Sequence, residues 1–339
     1  MARVIRVLLL AALLAASPAV GQERLAVLEF FGRPAGQYCR DAAPTVIALQ
    51  HQYAGRAILL EYDYDRFPSG RVDRFWAART GGGTVYLPLV VVGSGFRIAS
   101  GPVNFDSVYR SMLDAELARP PQAEVAVWSR RLGNALRVYV RARNLSASPL
   151  TAANSAGLWL LAWEDLRRGL TDTWVRAAVA KPLTTTLPPG ATVTATVDTP
   201  SLTEVDWGAL RSLVLLEHRP AGTGPYDMLQ AALAAPAGLN FSPPQLVLTP
   251  LLSTATLSLD GPPVLSWTAT ADVPWLALQP TAGTLPATLS VTLGAGAPAG
   301  ATAEVQLSAN GDGMSFTVSV PVRVEVVTPR LRRRIPVAP

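Results

Sequence analysis

Residues 123–131, "AEVAVWSRR", and 135–144, "ALRVYVRARN", alternate apolar and polar side chains. A strand turns successive side chains to opposite faces, so this alternation reads as a half-buried strand. In the second run Leu136, Val138 and Val140 point one way and Arg137, Arg141 and Arg143 the other. Working outward, "GLWLLAWEDL" (157–166), "TWVRAAVAKPL" (173–183), "ATVTATVDT" (191–199) and "SLVLLEHR" (212–219) continue as strands. Gly, Pro, Asn and Ser loops separate them at the spacing of a sandwich. "YDMLQAALA" (226–234) closes the unit as a strand or short helix, and "PP" at 120–121 marks its start. Residues 121–238 are therefore expected to form a β-sandwich. Trp128, Trp159, Trp163 and Trp174 read as packing residues within it rather than as a ligand platform.

Downstream the composition shifts. From Leu239 to Val322 there is no Lys or Arg and only four acids, with Thr, Ser, Pro, Ala and Gly dominant. Short strands alternate with turns, and Gly311-Asp312-Gly313 is a hairpin signal. The run "SWTATADVPWLALQPTAGT" (266–284) places Trp267, Trp275, Leu276, Pro280 and Gly283 in a pattern that resembles the BACON domain of extracellular bacterial proteins. The resemblance implies an immunoglobulin-like sandwich over 239–328, in a family proposed to bind carbohydrate or mucin. Trp267 and Trp275 are then the candidate glycan-facing residues. Sugar binding needs an exposed aromatic face with converging polar groups, and core packing is the other reading of both. Residues 329–339, arginine-rich and Pro-containing, read as a disordered tail able to touch anionic polymers or lipid headgroups.

Upstream, "LAVLEFFG" (25–32) reads as a strand, "RDAAPTVIALQHQYAG" (40–55) as a helix ended by Gly55, and "RAILLEYDYD" (56–65) as a second strand. A strand, a crossover helix and a strand make a right-handed parallel unit. "GTVYLPLVVVGSGFRIASG" (83–101) reads as a hairpin turning at Gly93-Ser94-Gly95. "NFDSVYRSMLDAELAR" (104–119) reads as a helix capped by Asn104. Glu61 lies inside the second strand, and Asp63 and Asp65 read as its solvated end. The "GGG" at 81–83 lacks a following Lys-Ser/Thr and is no phosphate cradle.

This order resembles the thioredoxin fold. "FF" precedes the loop, Cys39 and Pro44 keep the spacing of that family's second cysteine and helix proline, and Leu87-Pro88 leads a strand. The resemblance implies a cis Pro88 facing the thiol. Gly36 stands where the family has its nucleophilic cysteine, and Ala35 where an aromatic is usual. Exchange needs an accessible thiolate, so the implied chemistry is crippled at its first step. Cys39 then reads as a buried, inert thiol or as a single-cysteine exchanger. A thioredoxin-like unit followed by such a sandwich is also similar to Omp28-related envelope proteins.

The first residues carry Arg3 and Arg6, then an apolar run from Val7 to Ala16 and small residues at Ser17, Ala19 and Gly21. Residues 1–21 read as a secretory signal peptide, which predicts export to the periplasm, envelope or exterior. The run is short for a transmembrane helix, which needs ~20 residues, and no later segment reads as one. The formal charge of +5 comes from this leader and from the five arginines after Val322. The body is near neutral, which argues against a nucleic-acid footprint. One cysteine excludes an internal disulfide, and His51 and His218 with that lone Cys offer no metal spacing and no defensible triad.

The sequence thus predicts a multidomain chain: an α/β thioredoxin-like domain (22–120), then two all-β immunoglobulin-like sandwiches. It predicts a non-enzymatic binding or scaffold protein without cofactor or metal. Tyr38, Leu87 and Pro88 would hold an extended peptide or envelope protein. Single-thiol exchange at Cys39 and polysaccharide attachment through the last sandwich are the alternatives.

Overall fold

The computed structural model describes residues 22–66 and 70–325. The predicted signal peptide (1–21) and basic tail (329–339) lie outside the described residues.

The first stretch contains β1 (Ala26–Gly32), α1 (Gln37–Gln52), β2 (Ala57–Asp63), α2 (Gly70–Thr80), β3 (Leu89–Val92), β4 (Arg97–Ser100) and α3 (Phe105–Leu117). Its sheet runs β2-β1-β3-β4, with β1 parallel to β2 and antiparallel to β3. The second stretch contains β5 (Ala123–Leu132), β6 (Ala135–Asn144), β7 (Gly157–Glu164), β8 (Trp174–Pro182), β9 (Thr192–Asp198), β10 (Leu210–His218), β11 (Asp227–Leu233) and β12 (Ala235–Pro236). These form two sheets, β11-β10-β7-β8 and β12-β5-β6-β9.

The third stretch contains β13 (Asn240–Ser242), β14 (Leu246–Leu248), β15 (Thr254–Asp260), β16 (Ser266–Ala271), β17 (Leu276–Gln279), β18 (Ala282–Thr284), β19 (Ala287–Leu293), β20 (Thr302–Gly311) and β21 (Met314–Val324). They form a sandwich of β13-β15-β19-β17 on β14-β21-β20-β16-β18. Its core is lined by Leu257, Leu259, Trp267, Leu289, Val305, Leu307 and Val320.

The expectation of an α/β thioredoxin-like domain ahead of two sandwiches is corrected here. Strands dominate: the described residues hold 21 strands and three α-helices. No helix-rich unit stands by itself, because the first two stretches are stacked into one body. Alternation along β1 sends Leu28 and Phe30 to one face and Val27 and Phe31 to the other. The first pair packs with Val46 and Leu49 of α1 and Leu113 of α3. The second pair packs with Val72 and Phe75 of α2, and with Leu161, Leu213 and Leu215 of the adjoining sheet. That adjoining sheet turns Leu158, Leu160, Val214 and Leu216 the other way, against Val127, Val138 and Val140.

The layers therefore run α1 and α3, sheet, sheet, sheet, with α2 packed on the second face of the first sheet beside the adjoining one. A sheet covered on both faces needs apolar residues at successive positions rather than alternate ones. "GLWLLAWE" in β7 and "LVLLEH" in β10 have that composition. Each large apolar side chain buried there contributes roughly 1.5–3 kcal/mol relative to exposure.

Buried polar groups tie the layers as well. Arg71 of α2, fully buried, donates Nε and Nη2 to the Glu29 carboxylate of β1 at 2.5 and 2.7 Å, and Glu217 of β10 stands 3.7 Å away. Its guanidinium stacks on Trp159 at 4.4 Å. Glu61 of β2 accepts from the amides of Leu170 and Thr171 at 2.8 and 2.5 Å and from the Thr171 hydroxyl at 2.9 Å. Arg24 pairs with Glu116 of α3, and Arg119 bridges Glu116 to Asp227 at 2.9 and 2.7 Å.

The third stretch meets the second through polar contacts at the β20–β21 hairpin. Asp312 accepts from the Tyr139 hydroxyl at 2.5 Å and from Arg137 at 3.1 Å, with Arg130 at 3.2 Å. Arg141 adds a contact to Asp260 at 3.0 Å.

Candidate functional site

A groove of about 560 Å³ opens where the loop before α1 faces the extended segment before β3. Arg33, Gly36 and Tyr38 line it on the α1 side and Gly83 to Leu87 on the other, and Cys39, Tyr64 and Asp73 line it as well. The loop is held by its own sequence. The Gly36 amide donates to the Arg33 carbonyl at 2.8 Å, and Arg40 reaches back to the carbonyls of Pro34 and Ala35 at 3.1 and 2.7 Å. Arg33 Nε donates to both carboxylate oxygens of Asp65 at 2.9 Å, and its guanidinium lies 5.4 Å from the Tyr64 ring centre.

The opposite wall is fixed at its far end. The Tyr86 carbonyl accepts from the Gly101 amide at 3.2 Å and from the Ser100 hydroxyl at 2.8 Å. Among the described residues Thr84 and Val85 make no backbone–backbone hydrogen bond. Tyr38 and Tyr86 stand on either side, 53% and 64% exposed.

Cys39 forms the floor, 1% exposed, in the first turn of α1. Burial pushes its thiol pKa up, against the lowering effects of an Arg33 amide hydrogen bond and the Arg33 charge. A buried neutral thiol is a poor nucleophile. The site therefore offers shape, two aromatic faces and, among the described residues, a Thr84–Val85 backbone without backbone partners, rather than an activated thiolate.

The residues expected to act together divide as follows. Tyr38, Cys39 and Leu87 meet at the groove, and Pro88, whose bond to Leu87 is cis, lies buried beside it. Trp267 and Trp275 are in the last sandwich. Trp267 is 1% exposed, and its indole packs against Gly283, so the expectation that it faces a glycan is corrected. Trp275 is half-buried at the edge of the same core. Asp65 is exposed, as expected of a strand end, but Asp63 is buried and accepts from the amides of Asp65 and Arg66 at 3.0 and 3.3 Å. His51 is exposed on α1, while His218 is buried on β10, its pKa lowered by burial.

Sequence reading missed Arg33, Tyr64, Asp73 and Tyr86 as lining residues. The three glycines at 81–83 followed by Thr-Val-Tyr were the available signal for an extended wall.

No protein-family model matches the chain, and no curated protein matches it. Among solved structures it is similar to an Agrobacterium tumefaciens protein, at 16% identity and a TM-score of 0.39, over 63% of this chain and 96% of that one. It is also similar to red sea bream transglutaminase, at 13% identity and a TM-score of 0.24, over 79% of this chain and 41% of that one. No helix of the described residues is long and apolar enough to cross a membrane.

Proposed function

We propose that the protein is an exported, non-enzymatic binding or scaffold protein whose groove between α1 and the Gly83–Leu87 segment receives an extended polypeptide. The observation that carries this reading is the pair of exposed tyrosines flanking a floor where Cys39 is sealed. Aromatic side chains at a groove give large contact area at small entropic cost. The Thr84 and Val85 backbone supplies the main-chain partners that strand addition uses. The apolar leader at 1–21 supports export.

Selection from a phage-displayed library of random peptides tests the proposal. Enriched peptides are expected to bind about tenfold more weakly to Tyr86→Ala, the loss of one good contact, and undiminished to Cys39→Ala. Failure to enrich any peptide, or binding that survives the Tyr38→Ala/Tyr86→Ala double variant, overturns it.

A further inference from the structure

The first sheet ends at β4, which pairs with β3 on one side and, among the described residues, with no strand on the other. The register fixes which groups that open side presents. Leu89 stands opposite Ser100 and Val92 opposite Arg97, and the Gly101 amide donates to the Pro88 carbonyl at 2.9 Å. Antiparallel ladders bond at alternate residues, so Arg97 and Ala99 turn their backbone groups to β3. Ile98 and Ser100 turn theirs outward, and among the described residues no loop or helix backbone bonds to them. An edge with free N–H and C=O groups is a template for another strand.

A groove of about 440 Å³ lies along this edge. Helices flank it on both faces of the sheet. Ala99 packs in the core beneath α3, and Ile98 in the core that holds α2. Alternation puts Arg97 on the α3 side with Ala99, where Ser107 and Ser111 of α3 also line the groove. Arg79, in the last turn of α2, lines it too. A strand laid beside β4 would therefore turn successive side chains towards Arg97 and towards Arg79. The groove shares no lining residue with the one between α1 and the Gly83–Leu87 segment.

Its charge has one sign. No acidic side chain lines it among the described residues. The Arg97 Nε is buried without a hydrogen-bond partner. The acids of α3 are engaged elsewhere: Asp106 with Arg110, Asp114 with the Tyr53 hydroxyl, and Glu116 with Arg24 and Arg119. Phe96, which also lines the groove, has Arg97 and Arg119 over its ring at 5.3 and 4.2 Å, adding a third guanidinium to this edge. Two copies meeting edge to edge would set these arginines against their own kind, so the charge selects against self-pairing.

We propose that the β4 edge receives an acidic, extended polypeptide of another protein as an added strand, with carboxylates on adjacent residues meeting Arg97 and Arg79. Main-chain bonds to Ile98 and Ser100 supply affinity, and the guanidiniums select the partner. A polyanion without a peptide backbone would use the arginines and leave the open edge without a role.

Short displayed peptides with Glu-Glu fixed at the centre and random flanks, panned on the protein beside the same library carrying Lys-Lys, provide the test. Enrichment is expected from the acidic library alone. The enriched peptides should bind at least about tenfold more weakly to Arg79→Glu/Arg97→Glu, because attraction becomes repulsion. Arg79→Gln/Arg97→Gln, which removes only the charges, should weaken binding as well and should unfold thermally like the parent. Binding should be undiminished in Tyr38→Ala/Tyr86→Ala, which alters the other groove. N-methylation of alternate peptide amides should abolish binding in one register and spare it in the other, because an added strand turns only alternate amides to its neighbour. No enrichment overturns the proposal, and so does equal enrichment from the lysine library. Binding indifferent to both arginine variants, binding lost with the tyrosines, or N-methylation acting alike in both registers overturns it too.

Discussion

Gly36 and Cys39 face each other across the first turn of α1. A Cβ on Gly36 would stand 3.7 Å from the Cys39 Cβ and 3.2 Å from its sulfur. Disulfides join Cβ atoms about 3.5–4.5 Å apart. Gly36 has φ −74° and ψ 125°, extended backbone open to any residue. Gly36→Cys is therefore expected to close a disulfide with Cys39 in air. Intact mass should fall by two hydrogens, and alkylation of either thiol should require a reductant. Two free thiols after oxidation would contradict the geometry.

In the parent chain Cys39 is expected to resist alkylation at neutral pH and to react fast once denatured. Its pKa is raised by burial, so the thiol is neutral in the fold over the range where an unfolded cysteine begins to ionise. The linkage has a definite sign. A raised folded pKa leaves the associated stability intact below the ordinary thiol range and removes it as pH climbs toward the folded value. Stability followed by denaturant at rising pH should therefore decline on the alkaline side, and Cys39→Ala should blunt that decline.

Arg71 carries the buried charge that binds α2 to its surroundings. Arg71→Met would leave the buried Glu29 carboxylate without its cation, while Glu217 keeps Arg74. Breaking a buried pair by removing one partner costs about 3–5 kcal/mol. A midpoint shift of that size in urea, measured with an unchanged slope, is the expected outcome.

Asp312 is held below the usual carboxylate range, first by the hydrogen bond from Tyr139 and then by Arg137. Arg137 also pairs with Asp198, whose pKa is lowered by it. A depressed folded pKa contributes stability above the ordinary aspartate range and loses it as pH falls through the folded value. Acidification should thus free the last sandwich before the cores unfold. Limited proteolysis around 237–239 should rise at acid pH, and Asp312→Asn should show that cleavage already at neutral pH.

Trp267 fills the last core. Trp267→Ala is expected to cost about 3–5 kcal/mol, read as an earlier thermal transition for that sandwich. A transition unchanged by the substitution would mean that the indole is not seated there.

Much of the β architecture was legible because half-buried strands announce themselves by alternation, as β5 and β6 do. The stacking was carried by a weaker signal. "GLWLLAWE" and "LVLLEH" are apolar at nearly every position, which marks a sheet with both faces covered, yet periodicity cannot say what covers the second face. Helix α2 escaped reading altogether. Its sequence, "GRVDRFWAART", is charged throughout, and Arg71 is buried only because Glu29 and Glu217 come from distant strands. The same limit hid Asp63, whose acceptor role depends on a local turn. It also left the exposure of Trp267 open, since spacing does not reveal which side of a sheet an indole occupies. At the groove, Tyr38, Cys39 and Leu87 were legible as neighbours, while Tyr86 and Arg33 depended on loop paths.

The two kinds of junction along this chain respond differently to tension. Between the first and second stretches, Phe31 and Leu60 interlock with Leu161 and Leu215, and no surface there opens without wetting hydrocarbon. Between the second and third, the grip is a few partly exposed ion pairs around Asp312, individually worth about 0–1 kcal/mol. Pulled from its two extremities, the molecule yields at that grip first. The last sandwich then swings out on residues 237–239 as a boom on a short hinge, lengthening its reach while the stacked layers stay whole.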